Sequence, residues 1–155
     1  YECFNKNDGA YTVYDNEIEN IDIYGNLYNW YAVNDSRGIC PEGWHIPSDD
    51  EYLTLVNYLG GKGVAGGKMK LSGSVYWEEP NTNATNESSF SALPSGKYDL
   101  SNYGFLSKYS YFWSNVSSGV YGSFWQLAYN NSNAYNGIAD KSAAMSVRCI
   151  KDDDD

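Results

Sequence analysis

The chain is short of positive charge. Ten Lys and Arg stand against twenty Asp and Glu in 155 residues, a net charge of −10. Without Asp152–Asp155 the balance is still 16 acids to 10 bases. No nucleic-acid partner and no anionic membrane surface is therefore expected, since both demand a basic face. No apolar run reaches the ~18 residues of a membrane span, so no membrane insertion is expected. The chain opens at Tyr1 with no recognisable signal peptide. There is one histidine, His45, and no Cys or His stands near it at zinc spacing. No Ser or Cys beside it makes a nucleophile motif either. The reading is a structural histidine hydrogen-bonded beneath Trp44, with no catalytic residue, no metal and no cofactor. Cysteine is scarce and odd in number: Cys3, Cys40 and Cys149 leave one thiol over in any pairing.

Aromatics are abundant by contrast, with sixteen Tyr and five Trp. Most suit an aromatic core with Tyr hydroxyls at its rim. The stretch from Tyr111 to Lys151 is different. Between Asn115 and Ala143 it holds only two charged residues, Asp140 and Lys141, and is otherwise mostly Asn, Ser, Gly, Ala and Tyr. Tyr supplies rigid amphipathic contact area, and Ser, Gly and Asn supply adaptable hydrogen bonds, which is the chemistry of a recognition surface. The sequons at Asn34, Asn83, Asn86, Asn115 and Asn130 fit an exported chain.

Along the chain, Tyr11–Tyr14 reads as a short strand. Asp15, Glu17 and Glu19 lack metal-loop spacing and read as a solvated face. Ile21–Val33 is apolar at helical spacing, with Leu27, Tyr28, Tyr31 and Ala32 on one face and Gly25 as its weak point. Ser48–Leu59 is the clearest helix. Ser48 and Glu51 form a capping box, Asp49 and Asp50 complement the N-terminal dipole, and Tyr52, Leu55, Val56 and Leu59 make a buried stripe. Gly60-Gly61-Lys62-Gly63 and Gly66-Gly67-Lys68 lack phosphate-loop spacing and read as a loop leading to a short segment around Met69 and Leu71. Glu79-Pro80-Asn81 is a tripeptide used for calcium by sugar-binding C-type lectins. Without converging oxygen ligands, calcium has only weak support here. Glu78, Glu79 and Glu87 offer no defined glycosidase pair. Phe90–Tyr98 reads as strand, turn and strand edge. In Phe124–Asn130, Trp125, Leu127 and Tyr129 alternate with Phe124, Gln126, Ala128 and Asn130, as in a strand with one face buried and one exposed. Met145, Val147 and Cys149 repeat that alternation, and Asn131–Ala143 reads as the connection between the two strands. One helical middle and a strand-rich C-terminal half make the class α+β.

Several ordered blocks carry a family resemblance: Tyr24-Gly25-Asn26-Leu27-Tyr28-Asn29-Trp30-Tyr31, Cys40-Pro41-Glu42-Gly43-Trp44-His45-Ile46-Pro47-Ser48, Asn86-Glu87-Ser88-Ser89-Phe90-Ser91-Ala92-Leu93-Pro94 and Ser146-Val147-Arg148-Cys149. Together they resemble the Fibrobacter succinogenes major paralogous domain. The resemblance implies one C-type-lectin-like domain over 1–151, two helices packed on a small twisted antiparallel sheet with long irregular loops, followed by an acidic tail at 152–155. It implies that Cys40 pairs with Cys149, leaving Cys3 over. A bridge closing so long a loop contributes up to roughly 4–5 kcal/mol in the chain-entropy model and belongs in an oxidising compartment. The family's N-terminal strand has no counterpart ahead of Tyr1. Either the chain is cut there, or another polypeptide, in a homo-oligomer or a neighbouring chain, supplies that edge.

Phe124–Cys149 also resembles, without a gap, the C-terminal stretch of the variable proteins of diversity-generating retroelements. In those, adenine-directed mutagenesis diversifies Asn codons. The resemblance sets Gln126, Ala128, Asn130, Asn133, Tyr135, Gly137, Ile138, Ala139, Asp140, Ser142 and Ala143 at the template's Asn positions. It sets Trp125, Leu127, Ser146, Val147, Arg148 and Cys149 at the fixed ones. With Asn115, Ser117, Ser118, Tyr121 and Phe124 the variable positions make up the expected ligand-binding set. The expectation is a non-enzymatic extracellular, cell-surface or virion-borne binding protein whose partner is a protein or glycan on a cell surface. The competing expectation is a structural surface, filament or virion subunit. An enzyme of the formylglycine-generating type, the other fold relative, needs an active-site cysteine pair that a Cys40–Cys149 bridge does not leave.

Overall fold

Ser48 opens the longest helix, and its local chemistry explains why. The Ser48 hydroxyl accepts the Glu51 N–H and the Glu51 carboxylate accepts the Ser48 N–H, a complete capping box. In the computed structural model, which describes residues 8–99 and 101–153, the elements in chain order are β1 (Tyr11–Thr12), α1 (Asn20–Tyr24), β2 (Leu27–Asn29), α2 (Trp30–Val33), β3 (Trp44–His45), α3 (Asp49–Tyr58), α4 (Ala65–Met69), β4 (Ser95–Asp99), β5 (Asn102–Leu106), β6 (Tyr109–Ser118), β7 (Tyr121–Ala128), β8 (Ala134–Asp140), β9 (Ala144–Met145) and β10 (Ile150–Lys151). Cys3 and Asp154–Asp155 lie outside the described residues.

The class is the expected mixture of helix and strand, mostly antiparallel sheet with few helices. One sheet runs β1-β2-β9-β4-β5, a second β6-β7-β8, and β3 pairs with β10. Every strand pair is antiparallel. The two larger sheets are stitched where Trp113 N–H donates to Ser146 O and Ser146 N–H to Tyr111 O. The bridge Cys40–Cys149, closing a sequence separation of 109, is present as the resemblance implied.

Several local readings are corrected. Ile21–Val33 is not one helix. Gly25, at φ 74°, ends α1, and Leu27–Asn29 becomes a strand between β1 and β9. Pairing with two distant segments outweighs helical spacing. Asn29 then restarts the helix, its side-chain oxygen accepting the Ala32 N–H of α2 at 3.0 Å. The strand expected at Tyr11–Tyr14 is shorter, because Tyr14 already belongs to a 3-10 turn. Phe90–Tyr98 contributes a strand only from Ser95; Ala92 makes an isolated bridge to Lys70. Met145–Ile150 is two short strands, not one, and the chain between them turns inward at Arg148. The Gly-rich loop holds α4, whose glycines are forced by close approach. A Cβ on Gly66 would collide with the Asn133 carbonyl oxygen, and one on Gly67 with that of Asn83.

The largest core cluster joins Tyr52 and Val56 of α3, and Leu59 at its C-cap, to Phe112, Trp125 and Leu127 of the β6–β8 sheet. A second gathers Trp30, Tyr111, Trp113, Phe124, Ala143 and Met145 on the other side of that sheet. The expected stripe of α3 is buried, with Leu55 at its half-exposed margin.

Candidate ligand-binding face

Register decides which residues share a side of the β6-β7-β8 sheet. Tyr111 lies opposite Gln126 and Gln126 opposite Tyr135; Trp113 lies opposite Phe124 and Phe124 opposite Gly137. These residues make one face, and Phe112, Trp125, Leu127, Ala134 and Asn136 make the other. The second face is sealed onto α3. Trp125 is 3% exposed and its ring stacks on Tyr52 at 5.8 Å. Asp49 ties the same face down with one oxygen, Oδ1, which accepts from Ser123 Oγ (2.9 Å), Trp125 Nε1 (3.1 Å) and Asn136 Nδ2 (3.3 Å). The sequence marked Asp49 as a helix-dipole partner; its larger role is to hold two strands, for which no local signal exists.

A second anchor was also missed. Lys70 follows α4 and is completely buried. Its ammonium donates to the carbonyls of Thr82 (3.0 Å), Ala128 (2.8 Å) and Asn131 (2.9 Å), fixing the connection from β7 to β8. Burial pushes its pKa down to about 8, so the group remains a cation at neutral pH.

The opposite face is finished in two ways. At one end Trp30 and Met145 cover Trp113 and Phe124, and Trp113 Nε1 donates to Tyr28 O at 2.7 Å. Toward the other end an aromatic row runs through buried Tyr111 and Phe124 to exposed flanks at Phe105 and Tyr135. Phe105, Tyr109, Tyr111, Phe124 and Tyr135 touch in succession at centroid distances of 5.4 to 6.4 Å. Phe105 is 49% and Tyr135 56% exposed. Lys97, paired with Asp99 at 2.8 Å, sits over Tyr111. Burial holds the Tyr111 phenol above its ordinary pKa, so it is neutral.

The expected ligand-binding residues divide accordingly. Gln126, Tyr135, Gly137 and Ala139 fall on the open side, with Asn130 and Asn133 in the adjoining turn. Tyr121, Ile138 and Asp140 fall on the opposite side, at the far end of the hairpin beyond the reach of α3, where all three are exposed. Ser117 and Ser118 are exposed at the end of β6. Asn115 is exposed but engaged, its side chain donating to Ile46 O and its N–H to Pro47 O. Ser142 donates through its N–H and hydroxyl to the Asp140 carboxylate, a local turn.

Three members of the set are corrected. Phe124, Ala128 and Ala143 are buried. Strand alternation had placed Phe124 and Ala128 on an exposed face, but neighbouring elements cover that face over much of its length. Gly137 is constrained as well, because a Cβ there would meet the Phe124 and Tyr135 rings at 2.8 Å. Asn131–Ala143 is not merely a connection, since it carries the whole of β8. Its Asn, Ala, Tyr and Gly gave no apolar alternation to read.

In the calcium tripeptide Asn81 is buried, its amide donating to Leu71 O (3.1 Å) and Gly73 O (2.7 Å) while its Oδ1 has no hydrogen-bond partner. Among the described residues no three His, Cys, Asp or Glu gather at metal-binding distance. His45 is hydrogen-bonded, but between two carboxylates, Nε2 to Glu51 and Nδ1 to Asp152, where a position beneath Trp44 was expected. Those bonds, Asp152 first, raise its pKa. Burial pushes Glu51 up, but the Ser48 N–H and His45 together bring it below its ordinary value.

No curated protein and no solved structure matches the chain. A family does, across nearly its whole length and including each block from Tyr24 to Cys149 described above. By that match over residues 1–151, the chain belongs to the Fibrobacter succinogenes major domain family.

Proposed function

We propose that this chain is a non-enzymatic binding protein, exported to the cell surface, the medium or a virion, with a C-type-lectin-like frame and a variable C-terminal ligand face. The ligand is a protein or glycan on a cell surface. The observation that carries the reading is the asymmetry of the β6-β7-β8 sheet. One face is fixed to α3 by Trp125, Leu127 and Asp49, while on the other Gln126 is half-buried and Tyr135 stands mostly in solvent. Tyr135, Tyr109 and Phe105 supply the aromatic anchors that dominate binding energy, and Asn130 and Asn133 a polar rim. The Cys40–Cys149 bridge suits an oxidising compartment, and no helix among the described residues is long and apolar enough to cross a membrane.

The same reading makes the chain a variable protein of a diversity-generating retroelement. The surrounding DNA tests this. It should hold a reverse transcriptase and an adenine-rich near-copy of the segment coding Asn115–Cys149, with differences concentrated at codons such as 126, 133, 135 and 140. A locus without either removes the variability while leaving the binding face to be tested on its own.

One observation favours a second reading, a self-assembling structural subunit. β8 is an edge strand, and exposed Val116, Val120, Tyr121 and Ile138 cluster at its end of the sheet. Mass in solution at micromolar concentration separates the two: the binding-protein reading expects no growth with concentration, and the subunit reading expects higher oligomers.

A further inference from the structure

A second recess lies away from the display face, between α3, the Phe90 loop and the segment that follows Val147. It is a cavity of about 290 Å³, close to the lower bound of about 300 Å³ for small-molecule pockets. Leu55, Phe90 and a partly exposed Trp44 make its walls apolar. Two polar groups on its lining are incomplete. Tyr52 is 3% exposed, and its hydroxyl is buried without any hydrogen-bond partner. Buried hydroxyls are nearly always paired, so this one is a donor available to a ligand.

Arg148 is the other. Its guanidinium lies 4.4 Å from the Phe90 ring centroid and 5.7 Å from that of Phe112, and Nη1 donates to Phe90 O at 2.9 Å. Among the described residues no carboxylate pairs with it, and Nε and Nη2 have no acceptor. Arg148 is half-buried, and its guanidinium, stacked on rings and without a carboxylate, is suited to pairing with an anion. The one carboxylate on the lining, Glu51, is already engaged by His45 and the Ser48 N–H. Burial raises the Tyr52 pKa, so the phenol keeps its proton and acts as a donor. A ligand that satisfies both groups brings an anionic acceptor for one guanidinium and one hydroxyl, carried on a flat apolar body. A doubly charged phosphate fits poorly, with Glu51 nearby and apolar walls around it.

We propose that this recess binds a small aromatic monocarboxylate, its carboxylate accepting from Tyr52 and Arg148 and its ring lying against Leu55, Phe90 and Trp44. The site is independent of the display face: Tyr52 meets Trp125 from the α3 side of the sheet, opposite Gln126 and Tyr135.

The test is an NMR titration of the full chain with phenylacetate and, separately, with phenylacetamide, which keeps the ring and lacks the charge. Phenylacetate should shift the Leu55 methyls and the Trp44 indole N–H saturably at millimolar concentration, and phenylacetamide should not. Tyr52→Phe removes only an unpaired hydroxyl; it should bind at least fivefold more weakly with an unchanged or higher Tm. Arg148→Lys keeps the charge but loses the planar fork, and should bind more weakly still. The proposal is overturned if the amide binds as tightly, if Tyr52→Phe binds like wild type, if the shifts map to Tyr135 and Gln126, or if phenylacetate produces no saturable shift.

Discussion

On the side of the β6-β7-β8 sheet that meets α3, Trp125 and Leu127 are buried, and Ser123, Trp125 and Asn136 converge on Asp49. On the other side, Gln126 is half-buried and Tyr135 stands mostly in solvent. The two sets alternate along the same strands, so backbone geometry does not separate them. What separates them is what lies above each face: a capped helix with a carboxylate at its first turn on one, and an incomplete cover of Trp30 and Met145 on the other. A sheet can change residues on one face without losing its fold when register and position are fixed from the other. Under the proposed function, ligand chemistry and stability would then rest on different residues.

The comparison can be broken most severely at the frame. Replacing Cys40 and Cys149 together by Ala should cost up to roughly 4–5 kcal/mol of unfolding free energy in the chain-entropy model, read by denaturant titration against the oxidised wild type. Trp125→Ala empties the sealed face and removes one of the three donors to Asp49. A loss of about 3–5 kcal/mol is expected, with the α3 amides losing hydrogen-exchange protection. Asp49→Ala leaves three donors without their shared acceptor, and should cost about 1.5–3 kcal/mol while leaving the α3 capping box intact.

A smaller effect is expected at His45, which joins β3 to Asp152 and to Glu51 of α3. His45 has a raised pKa, so its contribution is complete below the unfolded value of about 6.5 and is lost as pH rises through the folded one. Glu51 has a lowered pKa, so its contribution is complete above the unfolded value of about 4.3 and is lost as pH falls through the folded one. The clamp is therefore strongest between those two unfolded values. His45→Gln should lower Tm most near pH 5.5 and least at pH 9. The side chains are more than a third exposed, so the effect should stay under about 1 kcal/mol.

How far the sequence revealed this arrangement depends on how local each cause is. The capping box of Ser48 and Glu51 is complete within four residues, and α3 appears where expected. The buried set Trp125 and Leu127 was legible because apolar residues at period two carry their own signal. The opposite set was misjudged at Phe124, which packs with Trp30, Trp113 and Met145, and at Ala128, which is buried opposite Tyr109; no spacing within β7 reports either. β8 was missed because an edge strand of Ala, Tyr, Asn and Gly is held by β7 rather than by its own composition. Asp49 and Lys70 each join segments more than fifty residues apart, and nothing beside them announces it. The pairing of Cys40 with Cys149 came from family resemblance alone.

The central claim is that the residues facing away from α3 set what is bound and not whether the chain folds. It is tested by the unfolding free energy of a chain carrying Gln126→Ser, Asn130→Ser, Asn133→Ser and Tyr135→Ser together. Exposed sites away from packing change stability by within about 0.5 kcal/mol each, so a total loss below about 2 kcal/mol with an unchanged denaturant slope is predicted. A loss comparable to that of Trp125→Ala would contradict the account, because the display face would then be part of the core.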